Sequence, residues 1–172
     1  DMEYPQRTSM RLSVHNYSDP GWYFITICAK DRKDCFGRIV GADVLIGPCL
    51  QLSTYGKIVQ ETIASIPSIH AYTIMPDHVH LVFHLPTPEN GPLGTAAPTE
   101  FPVHSQDSGR KTQNIPQLIR FFKRSVSIRC GESIWQRGYY DHIVRDEADY
   151  LRVLEYVQTN PARELERKPI LN

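Results

Sequence analysis

From His78 to Leu85 apolar and polar side chains alternate, and a strand with that pattern has two faces. Val79, Leu81, Phe83 and Leu85 fall on one of them. His78, His80, Val82 and His84 fall on the other. A second apolar run, His70 to Met75, precedes it across Met75-Pro76-Asp77, which predicts a hairpin of two adjacent strands. Gly21 to Ala29 is aromatic and β-branched and reads as a buried strand, and Cys35 to Pro48 holds two short apolar pieces around Gly41. Helical spacing returns in Leu52 to Ile66, with Ser53 or Thr54 placed to cap it and Pro67 to end it. Ile115 to Cys130 carries Leu118, Ile119, Phe122 and Val126 at core spacing. After a strand fragment around Ile143-Val144, Asp146 caps a last helix running from Glu147 to about Asn160, where Pro161 stops it. On that helix Tyr150, Leu151, Leu154 and Val157 form the buried stripe, with Val153 at its edge and Tyr156 and Asn160 on a separate one.

This order predicts an α+β chain, a ferredoxin-like antiparallel sheet with helices packed on one face. Pro86 to Gln113 is rich in Pro, Gly, Thr and Ser without an apolar period, and reads as a flexible insertion within a single domain spanning 1–172. Residues 161–172 read as a short charged tail.

Composition narrows the class. Hydrophobic content of 41% and charged content of 22% are those of an ordinary globular domain, and 172 residues suffice for a sizeable core. No apolar run is long enough to cross a bilayer and the opening shows no secretory pattern, so a cytoplasmic protein without a membrane partner is expected. Cys28, Cys35, Cys49 and Cys130 lack zinc-finger spacing and read as reduced thiols. With a formal net charge of +0, nucleic-acid contact would require a local basic patch. One candidate exists: Arg120, Lys123 and Arg124 share a helix face, in a stretch from Arg110 to Arg129 that carries no acid. A solvated helix face is the competing reading.

The candidate chemistry lies on the histidine face. His78 and His80 are roughly 6.6 Å apart along the strand, so both rings can lean onto one metal ion. His84, about 13 Å from His80, is too far to share it easily. Two histidines on a half-exposed strand would give the same pattern without any ligand.

Three blocks, PDHVH after an apolar strand, IWQRGYYDHIVRDEADY, and LEYVQTNP, resemble the HUH single-tyrosine transposases and, among them, the REP-associated tyrosine transposases. The opening RLSVHNYSDPGWYFITICAKDR also fits that group. The resemblance covers nearly everything but the insertion and the tail. It implies the HUH nuclease fold, with His78 and His80 as ligands of a divalent cation and Val79 as the hydrophobic residue between them. Tyr156 is implied as nucleophile, and Asn160 as the polar residue completing the metal site.

The residue types suit that role. A tyrosine hydroxyl, with an ordinary pKa near 10, attacks poorly unless the phosphate is made more electrophilic. Mg²⁺ or Mn²⁺ at His78, His80 and Asn160 would supply that activation. The implied reaction is cleavage and strand transfer of single-stranded DNA beside hairpins, through a 5′-phosphotyrosine. Arg120, Lys123, Arg124, Arg137 and Arg145 are candidates for backbone contact, and Trp135 and Tyr139 for base stacking. A DNA-binding module that no longer cleaves, and an HxH metal-dependent hydrolase of small molecules, stay open. So does the choice between monomer and homodimer.

Overall fold

A computed structural model describes residues 16–40, 49–87 and 114–167, without the side chains of Cys49 and 163–167. Most of the expected insertion and the last residues of the expected tail lie outside the described residues. The elements in chain order are β1 (Gly21–Cys28), a short 3₁₀ turn (Lys30–Arg32), β2 (Gly37–Val40), β3 (Cys49–Leu52), α1 (Thr54–Ala64), β4 (Ile69–Ile74), β5 (His78–Leu85), α2 (Ile115–Cys130), β6 (Tyr140–Val144) and α3 (Glu147–Arg167).

Four strands form one antiparallel sheet in the order β4-β5-β1-β6, and β2 and β3 form a separate hairpin. Leaving that hairpin aside, this is the split βαβ order of a ferredoxin-like fold. Register fixes the two faces. β1 meets β5 from Gly21↔Leu85 to Cys28↔His78, and meets β6 from Trp22↔Val144 to Thr26↔Tyr140. β4 meets β5 with a one-residue bulge at His70, between the pairs Ile69↔Phe83 and Ala71↔Val82.

One face is the main core. Tyr23, Ile25 and Ile27 of β1 and Val79, Leu81, Phe83 and Leu85 of β5 are buried against Val59 and Ile63 of α1 and Ile115, Ile119, Phe122 and Val126 of α2. Each of the large side chains contributes about 1.5–3 kcal/mol by leaving water. Both helices are capped, α1 at the Ser53 its sequence offers. Ser53 accepts from the Gly56 N–H, Asn114 accepts from the Gln117 N–H, and Gly131 ends α2 in the left-handed region at φ 75°.

The helices do not all share that face. α3 lies on the opposite side of the sheet, where Phe24 and Val82 pack with Val153 and Val157. The physical reason is in the strands: β1 and β5 carry apolar side chains on both faces at mid-strand, so the histidine face also needs cover. This turns α3 away from the expected stripe. Val153 sits at its centre, fully buried, whereas Leu151 is 57% exposed. At 100° per residue, Asp149, Val153, Tyr156, Val157 and Asn160 all fall within one arc facing the sheet. The helix also continues through Pro161 to Arg167. Pro161 removes one backbone donor, toward Val157, but the helix-favouring ARELER residues after it carry the turn onward. Among the described residues no helix is long and apolar enough to cross a membrane.

Candidate active site

The histidines sit where β5 passes under α3. Because β5 pairs along its whole length, His78 and His80 point to the same side, and their Nε2 atoms are 3.0 Å apart. Each ring is held from behind. Asp77 Oδ1 lies 2.5 Å from His78 Nδ1, which makes Nδ1–H the donor and leaves Nε2 with its lone pair. His80 Nδ1 lies 2.8 Å from Thr26 Oγ1, its cross-strand neighbour on β1. If Thr26 accepts, two lone pairs face one another at Nε2, an arrangement that a shared cation relieves.

His80 is buried, and that burial, with the His78 ring and the Arg32 guanidinium nearby, holds its pKa well below the usual histidine range. It is therefore neutral at pH 7, the form that ligates. Asp77 is clamped in turn. Burial alone would push its carboxyl up, but His78 and then Arg32, whose Nε lies 3.1 Å from Oδ2, outweigh it and hold it below the usual carboxylate range. Arg32 also donates to Cys28 Sγ at 2.9 Å. Asp31 and Arg32 adopt φ of 56° and 54°, left-handed values that cost non-glycine residues roughly 1–3 kcal/mol each.

α3 brings the tyrosine. The Tyr156 ring is edge-on to His80 with centroids 5.2 Å apart, and to Phe24 at 5.8 Å. Phe24 stacks on His80 at 5.2 Å, so nucleophile candidate and imidazole share one aromatic wall. One turn on, Asn160 is buried, and its Nδ2 has no hydrogen-bond partner among the described residues. The two amide orientations occupy the same space, so a turn of the group presents Oδ1 there instead.

A divalent ion fits this donor set. Two nitrogens each about 2.1 Å from one ion at adjacent octahedral positions lie about 3.0 Å apart, the separation seen between the rings. Among the described residues no group of three His, Cys, Asp or Glu side chains is placed to hold a metal, so the third protein ligand would be the Asn160 amide.

Of the other sequence candidates, Arg120, Arg124, Arg137 and Arg145 are exposed. Lys123 is not a free cation: its Nζ donates to the Gln136 and Gly138 carbonyls at 2.7 and 3.0 Å, and burial lowers its pKa. Trp135 and Tyr139 are corrected too. Both are buried, Trp135 against Phe36 and Phe122, so neither offers a ring to a base. The reason is local: Trp135 bridges to Ala29 beside β1, which draws its indole beneath the sheet.

Sequence reading missed Asp77, Thr26 and Arg32. Asp77 was visible as the residue before the first histidine. Thr26 emerges only from the β1–β5 register. Also missed was Asp149, which accepts from His142 Nε2 at 2.9 Å and from the Arg145 N–H at 3.1 Å and so ties the start of α3 to β6.

No family model matches the chain. An uncharacterized protein of Haemophilus influenzae is 32% identical over 166 residues, 90% of this chain and 88% of that relative. A second Haemophilus influenzae protein, provisionally named a REP-associated tyrosine transposase, is 24% identical over 86% of this chain and 74% of its own length. Among solved structures, a REP-associated tyrosine transposase bound to a REP hairpin superposes with a TM-score of 0.58 at 18% identity, over 90% of this chain and 74% of that one. With that fold shared and relatives matched along most of its length, the chain belongs to a REP-associated tyrosine transposase-like family.

Proposed function

We propose that this protein is a metal-dependent transposase-type enzyme that cleaves and rejoins single-stranded DNA next to hairpins, with Tyr156 as nucleophile. The observation that carries the reading is the meeting of two elements: the His78–His80 pair of β5 lies against Tyr156 of α3, with Asn160 one turn further along that helix. A hairpin substrate is supported by the structural relative, which is described as bound to a REP hairpin.

In this reading Tyr156 Oη attacks a backbone phosphorus, forming a tyrosyl O–P bond as the P–O3′ bond breaks. The phenolic proton is lost and the departing oxygen gains one, leaving a free 3′-OH and a 5′-phosphotyrosine. A 3′-OH from another strand reverses the step, so no nucleotide hydrolysis is needed. A Mg²⁺ or Mn²⁺ ion held by His78, His80 and Asn160 would neutralise charge on the phosphate oxygens. The chain itself does the positioning. Asp77 and Thr26 fix the two rings, Phe24 backs both His80 and Tyr156, and the exposed Arg120 and Arg124 contact the DNA backbone.

The test is a labelled hairpin oligonucleotide with a single-stranded flank, incubated with protein and Mn²⁺ and resolved under denaturing conditions. Wild type should carry the label as a covalent adduct. Tyr156→Phe should bind the DNA and give none, and His78→Ala or His80→Ala should give at most a trace. An adduct that persists in Tyr156→Phe, or maps to another tyrosine, would overturn the assignment.

A further inference from the structure

Arg32 lies over the histidine face at the end of the sheet, and the reaction above gives its guanidinium no role beyond bracing Asp77. Cys28 shares that face, two residues from Thr26, and pairs with His78 across β1 and β5. Arg32 folds back over this row. Its Nη1 donates to Cys28 Sγ at 2.9 Å and its Nε to Asp77 Oδ2 at 3.1 Å. Those two bonds leave three of the five guanidinium N–H donors without a partner among the described residues. The side chain is 56% exposed.

Bracing alone does not account for an arginine at this place. One N–H suffices to steady a carboxylate, yet Asp31 and Arg32 are held at left-handed φ of 56° and 54° to turn this side chain back. The approach from solvent is also open. Tyr140 of β6 faces Thr26 on the same side of the sheet and is 54% exposed, so α3 does not cover this end. A charge that stays on at any working pH, in a planar fork matched to phosphate oxygens and weakly hydrated, is suited to a nucleic-acid backbone.

The position of the guanidinium selects which phosphate it meets. His78 stands between it and the ion position: Nε2 faces His80, Nδ1 faces Asp77 Oδ1, and the other Asp77 oxygen meets Arg32. The guanidinium is thus one ring and one carboxylate removed from the phosphate that an ion at the histidines would hold. It is placed for the next phosphate along the strand. We propose that Arg32 binds the DNA phosphate adjoining the scissile one and so sets which phosphodiester reaches Tyr156. The proposal rests on the strand-transfer reading and adds to it a contact that fixes the register of the strand.

The test uses hairpin oligonucleotides in which one phosphate at a time along the single-stranded flank is replaced by a neutral methylphosphonate. Binding is titrated with Mn²⁺ at fixed salt on the full chain carrying Tyr156→Phe, which lacks the nucleophile. Neutralising one phosphate that adjoins the cleaved bond should weaken binding about tenfold. With Arg32→Ala added, unmodified DNA should bind more weakly by a similar factor. The penalty at that one phosphate should vanish while penalties elsewhere stay. Arg32→Gln keeps an N–H for Asp77 without the charge; it should behave as Arg32→Ala does, and it serves where alanine fails to fold. A merely bracing arginine leaves every penalty in place, and that result overturns the proposal. So does an Arg32-dependent penalty two or more nucleotides from the bond at which the wild-type adduct forms. Adduct formation by the wild-type chain on unmodified DNA separates the two readings. An Arg32-dependent penalty without any adduct keeps the phosphate contact and removes strand transfer. Adducts without an Arg32-dependent penalty overturn the contact and leave strand transfer standing.

Discussion

Removing the Asp77 carboxylate probes how much of the site is built behind the histidines. Asp77 acts on His78 Nδ1 at 2.5 Å and is itself steadied by Arg32 at 3.1 Å. A charge-assisted hydrogen bond of this kind contributes about 1.5–3 kcal/mol. Its loss frees the His78 ring to rotate and removes the preference for the Nδ1–H tautomer. Partners behind metal-ligating histidines typically account for 10–100-fold in affinity, about 1.4–2.8 kcal/mol. Asp77→Ala is therefore expected to weaken Mn²⁺ binding by that factor in calorimetric titration, while the backbone bond from the Ala29 N–H to the Asp77 carbonyl, 2.8 Å, keeps the turn in place. Asp77→Asn should fall between. Its amide can accept from His78 or from Arg32, but then turns a donor toward the other. In a His78→Ala background, Asp77→Ala should add almost nothing, since its route to the metal runs through that ring. Mn²⁺ affinity in Asp77→Ala within twofold of wild type, in a variant whose thermal unfolding shows it folded, would refute the reasoning.

Three further outcomes are expected. Arg120→Ala with Arg124→Ala should lower DNA affinity and reduce the salt slope by about 1.4, at about 0.7 per single-strand phosphate contact, measured by titration at several salt concentrations. Lys123→Ala should leave that slope nearly unchanged yet lower unfolding free energy by about 1–3 kcal/mol in urea, because two carbonyls lose their partner. Asp149→Asn should destabilise the fold most near neutral pH. Burial alone would raise the Asp149 carboxyl, but bonds from Arg145 and His142 hold it low. Its contribution is thus present above the unfolded carboxyl value and is lost as pH falls through the folded one. The gap between wild type and variant in urea unfolding should shrink below about pH 4.

Much of this architecture was legible in the chain. The β5 alternation placed His78 and His80 opposite the main core, and local rules set the Ser53 and Asp146 caps, the latter visible in the bond from the Asp149 N–H to Asp146 Oδ1. The phase of α3 was not legible, because Leu151 and Val153 look equivalent until the sheet's second apolar patch, Phe24 and Val82, decides which one is covered. Nor was the fate of Trp135, Tyr139 and Lys123. A tryptophan, a tyrosine and a lysine near a DNA site suggest contacts with the ligand, but a loop folded beneath the sheet used two rings for packing and the ammonium for its own carbonyls. Thr26 escaped for a related reason: strand pairing is long-range, and 54 residues separate it from His80.

The bulge at His70 has a bearing on which lengths of this chain are permitted. His70 is the one residue of β4 between Ile69 and Ile74 without a cross-strand partner, so the sheet would close over its absence with Ile69↔Phe83 and Ala71↔Val82 as consecutive pairs. A deletion there leaves Thr73 opposite His80 and moves no side chain to the wrong face, which a deletion on the β5 side of the hairpin could not do. What the extra residue supplies is an imidazole against the edge of Trp22. The extra residue of β4 thus serves the aromatic cluster around Trp22 and not the hydrogen-bonding ladder, and among homologous chains its presence should track the tryptophan.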